Sequence, residues 1–181
     1  MTTAATPWRP SSFLLALAGA IVAGIGAYFV FLRPPLLPED IRFMQLSAAE
    51  FVAVGPRLEV WLTQVFRVLG GYALATGLLA VALAATAFRT RHPVAVVGAL
   101  TGGATSIGLM TIVNFAIDSD FKWLLLGAAL IWALSLVAFW VERWAARSAP
   151  TRTPTEQKPA VGTPLTSEAE TVASTIEPRR F

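Results

Sequence analysis

Cysteine is absent from the chain, and histidine occurs once, as His92. Without thiols there is no disulfide, thiolate nucleophile, iron–sulfur ligand or cysteine-based zinc site. One imidazole cannot supply two haem ligands. Charge is sparse too, because Asp, Glu, Lys and Arg make up 14% of the 181 residues, against about 25% in soluble domains. Also missing are a Ser, His and carboxylate set, a phosphate-cradling loop and a zinc-binding helix motif. The sequence therefore offers no nucleophile or general base to name, and no metal or cofactor is expected.

What is present is apolar. Hydrophobic residues make up 55% of the chain, and its mean hydropathy is +0.63. Ser11 to Leu32, Val68 to Phe88, Pro93 to Ala116 and Trp123 to Val141 contain no charged side chain. Each run approaches or exceeds the roughly 20 residues that cross a hydrocarbon core about 30 Å thick. None shows the polar face that a soluble helix of that length would need. The expected fold is all-α: a polytopic membrane protein with four transmembrane helices in a bundle, spanning about 11–32, 66–88, 93–117 and 122–142. A polar lead, 1–10, precedes this 11–144 domain. The first run exceeds the apolar core of a signal peptide and follows only Arg9, so it is expected to stay attached, although Ala18 and Ala20 keep a cleavage option open.

Between the first two spans, Arg33-Pro34-Pro35 ends a helix, and Leu36 to Leu46 reads as a loop. Ser47 and Glu50 form a capping box that starts a new helix. Phe51, Val54, Leu58, Trp61, Leu62 and Val65 then share one helical stripe, which marks an outer amphipathic segment, about 47–65. Gly55-Pro56 is expected to break or kink it, giving a short helix to about residue 55 and a longer one to Phe88. Arg89 to Pro93 is a tight connector and Asp118 to Trp123 a second outer turn. From Ala145 to Phe181 the chain turns to Thr, Ser, Pro and Glu, a composition expected to be disordered.

Basic residues stand singly at the ends of apolar runs, a pattern that reports membrane orientation and not nucleic-acid binding. Arg89 and Arg91 in a short connector place both termini in the cytoplasm, in a cell inner or plasma membrane. The usage of 12 Arg against 2 Lys, with abundant Ala, suggests a high-GC bacterial coding bias.

Small residues mark candidate helix contacts. Ala16, Ala20 and Gly24 recur every fourth residue, and Gly19, Ala23 and Ala27 form a parallel row. Gly70, Gly71 and Gly77 lie in the second span, and Gly98, Gly102 and Gly103 in the third, which its polar and small residues place at the centre of the bundle. A polar interhelical pocket is expected from Tyr72, Thr105, Ser106, Asn114 and Asp118. The plainer alternative is that the hydroxyls bond their own backbone and Asn114 a neighbouring helix. A divalent cation gathered by Glu39, Asp40, Glu50 and Glu59 is one reading, but ion pairing with Arg42 and Arg57 and helix capping account for them more simply. His92 reads as an exposed helix-end residue.

The order of spans, together with Arg33-Pro34-Pro35, Leu37-Pro38-Glu39-Asp40, Gly70-Gly71-Tyr72, Gly77-Leu78-Leu79 and the Asn114 to Asp120 turn, resembles small four-helix bacterial membrane proteins of the DoxX-like kind and related uncharacterised families. The resemblance covers about Phe13 to Val141 and implies a four-helix bundle. Members often carry an acidic residue early in the second span, where this chain has Gly70 and Gly71, so a redox role does not transfer. The leading expectation is a non-enzymatic membrane component that associates with itself or another membrane protein through its small-residue faces. The alternative is a redox accessory subunit or a quinone- or lipid-binding protein with an interhelical pocket. An ion or proton path is disfavoured because no charge lies near the middle of a span.

Overall fold

The structure is a computed structural model and describes residues 7–45 and 47–148. Six helices follow in order: α1 (Pro10–Phe31), α2 (Pro38–Met44), α3 (Ala48–Leu83), α4 (Pro93–Gly103), α5 (Leu109–Ala116) and α6 (Lys122–Ser148). Wider π-helical turns at Ala84–Phe88 and Ala104–Gly108 extend α3 and join α4 to α5. There is no strand among the described residues. Pro10–Phe31, Gly55–Phe88, Pro93–Ala116 and Lys122–Ser148 are long and apolar enough to cross a membrane. The chain is thus a helical polytopic membrane protein, as read. The tail expected from residue 145 is helical to Ser148, and the rest of it lies outside the described residues.

Helices form here because lipid offers no hydrogen-bond partner, so each backbone must satisfy itself. They then associate by close contact, and glycine decides where. Gly19 of α1 lies against Gly77 and Ala80 of α3, and Gly26 against Gly70 and Leu74. A Cβ on Gly77 would sit 2.5 Å from the Gly19 carbonyl oxygen and 2.7 Å from Ala23 Cα. In both antiparallel helices the tight positions are seven residues apart, the spacing that suits a shallow left-handed crossing. The row that matters is Gly19, Ala23 and Gly26. Ala20 is exposed and Gly24 has nothing within 4 Å of its Cβ position.

α1 is the central element, packed along α3 on one side and α6 on another. This corrects the expectation that the third span lies at the centre, since that span as a whole packs mainly on α6, with α4 also touching the end of the second span. Their anchor is Gly103, where a side chain would overlap the Trp132 indole, whose Cδ1 lies 2.6 Å from the Cβ position. Trp132 Nε1 donates a buried hydrogen bond to the Ala99 carbonyl at 2.8 Å. Gly98 meets only the tip of Leu83, and Gly71 and Gly102 meet nothing within 4 Å.

Two local expectations are corrected. The helix runs through Pro56 as one 36-residue element, not two. Proline removes a single bond, to the carbonyl four residues back, at a cost of roughly 3 kcal/mol. The Ser47 and Glu50 cap before it and the long apolar run after it keep the element whole. The stretch read as loop before Ser47 contains α2: Pro38 takes the first helical position, and the Leu37 amide donates to Asp40 Oδ2 at 2.9 Å, an arrangement favourable at a helix start.

At the end bearing the Arg89–His92 connector, α1 lacks a capping side chain of its own. Glu142 of α6 supplies one. Its Oε1 accepts from the Ser11 amide at 3.0 Å, and its Oε2 accepts from Ser11 Oγ and Arg91 Nη2, each at 2.9 Å. Beneath this clamp Phe88 and Phe139 stack with centroids 4.7 Å apart.

Gly77→Ala should destabilise the protein by about 1–3 kcal/mol, because two backbones must separate. Gly71→Ala should be neutral or mildly stabilising, since it adds helix propensity in open space. Thermal unfolding in mild detergent compares the two, and equal shifts would contradict the crossing described.

Candidate functional site

Between α1 and α5, at the end of the bundle opposite the Arg89–His92 connector, lies a cavity of about 300 Å³. Gly24, Ile25, Tyr28 and Phe29 of α1 form one wall, Met110, Asn114 and Ile117 another, and Leu124 and Leu125 of α6 the floor between them. The entry to α2 brings Arg33, Leu37, Glu39 and Asp40 over this space, and Ser119 and Phe121 close it from the turn before α6. Its walls are apolar and its polar groups are gathered at one end, the arrangement of a small-molecule pocket.

Arg33 builds that end. Its side chain is 6% exposed and its Nη2 donates to Asp40 Oδ2 at 2.9 Å. The guanidinium lies 3.5 Å from the Phe66 ring centroid and 5.3 Å from that of Phe29, a desolvated cation–π arrangement. Its Nη1 reaches the Pro34 carbonyl at 3.0 Å. The same Asp40 oxygen thus pairs with Arg33 and caps α2, so one carboxylate folds the Pro-rich segment back over the cavity.

Glu39 is different, because it is 4% exposed yet has no charged partner among the described residues. Its one hydrogen bond is a long contact, 3.4 Å, from Ser119 Oγ. A buried carboxyl so weakly partnered is costly and stands ready to accept a hydrogen bond. Asn114 Nδ2 donates to the Met110 carbonyl at 2.8 Å in its own helix. Outside the cavity, Arg42 Nη2 pairs with Asp120 at 3.3 Å, and Lys122 Nζ pairs with Asp118. Asp118 adopts φ 53°, a left-handed conformation that Asp tolerates better than most residues.

Of the five residues expected to make a polar pocket, only Asn114 lines this one. Tyr72 is 71% exposed on α3. Thr105 Oγ1 donates to the Thr101 carbonyl at 2.8 Å, and Ser106 Oγ to that of Gly102, so both hydroxyls bond their own helix. Asp118 lies in the adjoining turn and not in the wall. The acidic residues also go separate ways: Asp40 joins Arg33, Glu50 caps Ser47, and Glu39 enters the cavity wall. Among the described residues no three His, Asp or Glu side chains come together as a metal site. Arg33, Tyr28 and Ser119 are cavity residues that the sequence reading does not single out, and Glu39, weighed there only as a cation ligand, lines the cavity instead. The available signal was charge flanked by Pro34, Pro35 and Pro38 directly after an aromatic-ended span.

Fold and cavity define the class as a helical integral membrane protein with an interhelical pocket near one end. No family model, curated protein or solved structure matches the chain.

Arg33→Lys keeps the charge but loses the planar fork, and Asp40→Asn loses the charge and keeps the shape. Asp40→Asn should lower thermal stability by up to about 3 kcal/mol, because the buried Arg33 charge loses its partner, and Arg33→Lys by less, through the lost contacts to the Pro34 carbonyl and the Phe66 ring; a surface pair would move it by under about 1 kcal/mol. The Asp118 carboxyl is held below its usual range by the hydrogen bond and charge of Lys122, against slight burial. A depressed folded value means this turn is supported above the ordinary aspartate range and loosens as pH falls through the lowered value. Hydrogen exchange over residues 115–125, compared with Asp118→Asn at each pH, should show protection that the variant lacks at neutral pH and that converges with it in acid.

Proposed function

We propose that the protein is a non-catalytic membrane component that holds one amphiphile, a lipid or the quinol form of a quinone in kind, in the cavity between α1, α5 and α6. The observation that carries this reading is the pairing of an apolar space of about 300 Å³ with the buried, under-partnered Glu39 carboxyl at its polar end. The space is partly open, so a ring or an acyl chain can enter it from the bilayer. Glu39 favours an occupant whose polar group donates hydrogen bonds, a hydroxyl or an ammonium, since the Arg33 guanidinium is already engaged by Asp40. The volume sits at the small end of ligand pockets and suits a head group with a ring or the first part of a chain. With both termini in the cytoplasm, as the connector arginines suggest, the cavity lies at outer-leaflet depth.

A second reading, association with itself or another membrane protein, draws on Gly71 and Gly102, whose Cβ positions are open. The tightest glycines offer it nothing, because α1 and α3 use them against each other.

Gly24 provides the test, since it lines the cavity and has nothing within 4 Å of its Cβ position. Gly24→Leu should fill the space while leaving thermal unfolding nearly unchanged. Native mass spectrometry of the wild type in mild detergent should show one retained small molecule that Gly24→Leu has lost. A wild type that carries only a protein partner, or a bound molecule indifferent to Gly24→Leu, would displace the pocket reading in favour of the second.

A further inference from the structure

The end of the bundle away from the cavity holds more positive charge than its own residues neutralise. Arg9 precedes α1, Arg89 and Arg91 lie in the connector before α4, and Arg143 follows Glu142 on α6. All four are half-buried. Glu142 is the only acidic residue at this end among the described residues, and the Ser11 amide, Ser11 Oγ and Arg91 Nη2 already occupy it. The Arg91 guanidinium is held below its ordinary range by burial and by the nearby charges of Arg9 and Arg143, with Glu142 acting the other way. One carboxylate stands against four guanidinium groups.

A second observation is independent of charge. The buried side-chain polar atoms without a hydrogen-bond partner among the described residues are Arg9 Nε, Arg89 Nε, Arg91 Nε, Arg91 Nη1 and Ser12 Oγ. Every one lies at this end, and four of the five are guanidinium donors. An unmet charged donor away from water is expensive, and several guanidinium groups at one end of the bundle match the multiple acceptor oxygens of a phosphate better than any single carbonyl. Trp8 stacks 5.0 Å from Arg89 and Phe139 lies 5.7 Å from Arg91, so aromatic faces hold two of the groups without supplying an acceptor.

We propose that Arg9, Arg89, Arg91 and Arg143 form a binding site for a phosphate group, either in the head group of an anionic lipid or as free phosphate. The site stands where spans meet the membrane boundary, the setting in which basic pockets between helices take anionic head groups. Glu142 keeps it open by fixing α1, α6 and the connector together, and is not displaced by the ligand. This site is separate from the cavity and does not depend on the reading given to it.

The test uses the full chain in a neutral detergent, offered equal amounts of phosphatidylglycerol and phosphatidylcholine and read by native mass spectrometry. The expected result is a first phosphatidylglycerol bound at least about tenfold in preference, with the preference lost in Arg9→Gln/Arg89→Gln and kept in Arg147→Gln. In a second arm, inorganic phosphate is titrated against chloride at constant ionic strength while thermal unfolding is followed. A wild type stabilised by phosphate, with no preference between the lipids, assigns the site to free phosphate. A wild type with neither lipid preference nor phosphate response overturns the proposal, as does a preference that survives in Arg9→Gln/Arg89→Gln. Both wild-type arms decide the matter even where the double variant fails to fold.

Discussion

The contact between α1 and α3 governs the rest of the molecule. Lipid chains are as apolar as leucine, so helices in a bilayer gain nothing from merely hiding apolar surface and must win by fitting more closely than lipid can. Gly19 and Gly26 facing Gly77 and Gly70 allow backbone to meet backbone. Because both helices carry the pair at the same seven-residue interval, only one antiparallel register brings all four together. With α1 thus held, α6 packs on another part of its surface, and the third span attaches to α6 through Gly103 and Trp132. The third span owes its position to a neighbour's neighbour, and the cavity lies between it and α1 at one end.

Each end of the bundle is closed by a buried or half-buried ion pair in which the carboxylate also caps a helix. Asp40 holds Arg33 and the start of α2, and Glu142 holds Arg91 and the start of α1. This double use has a physical reason. A carboxylate removed from water needs more than one donor to offset its desolvation, and a helix start offers amides that have no other partner. Each carboxylate therefore solves two problems with one set of contacts; Glu142 joins segments far apart in the chain, whereas Asp40 folds one short segment back on itself.

The spans were legible because charge-free runs such as Pro93 to Ala116 have one economical solution in a bilayer, and the Ser47 and Glu50 cap was legible because its two residues are three apart. Register was not. Ala16, Ala20 and Gly24 make as good a small-residue row as Gly19, Ala23 and Gly26, and nothing within one helix says which row a partner will choose. Pro56 was overvalued because the break was judged locally, while the cap before it and the span after it decide the element. Asn114 was placed in a pocket wall by its depth and polarity, whereas Thr105 and Ser106 needed a rotation angle about the helix that periodicity alone does not supply. Arg33 and Glu39 read as loop charges, since their burial exists only once α2 folds back over the bundle.

The unspent polar groups at the two ends are opposite in kind. Near the cavity the guanidinium is engaged and a carboxyl remains with a weak partner, whereas at the other end the carboxylate is engaged and guanidinium donors remain. An occupant suited to one end is therefore ill suited to the other, and the two proposed sites would select different molecules. α1 runs between them, with Arg33 beyond one terminus and Ser11 at the other, so it is the obvious route by which one could sense the other. Coupling, however, needs an element with two arrangements that the ligands prefer differently. A helix locked to its neighbour by glycines at backbone distance has one arrangement and little room to slide. The contact that builds the bundle thereby argues that its two ends bind independently.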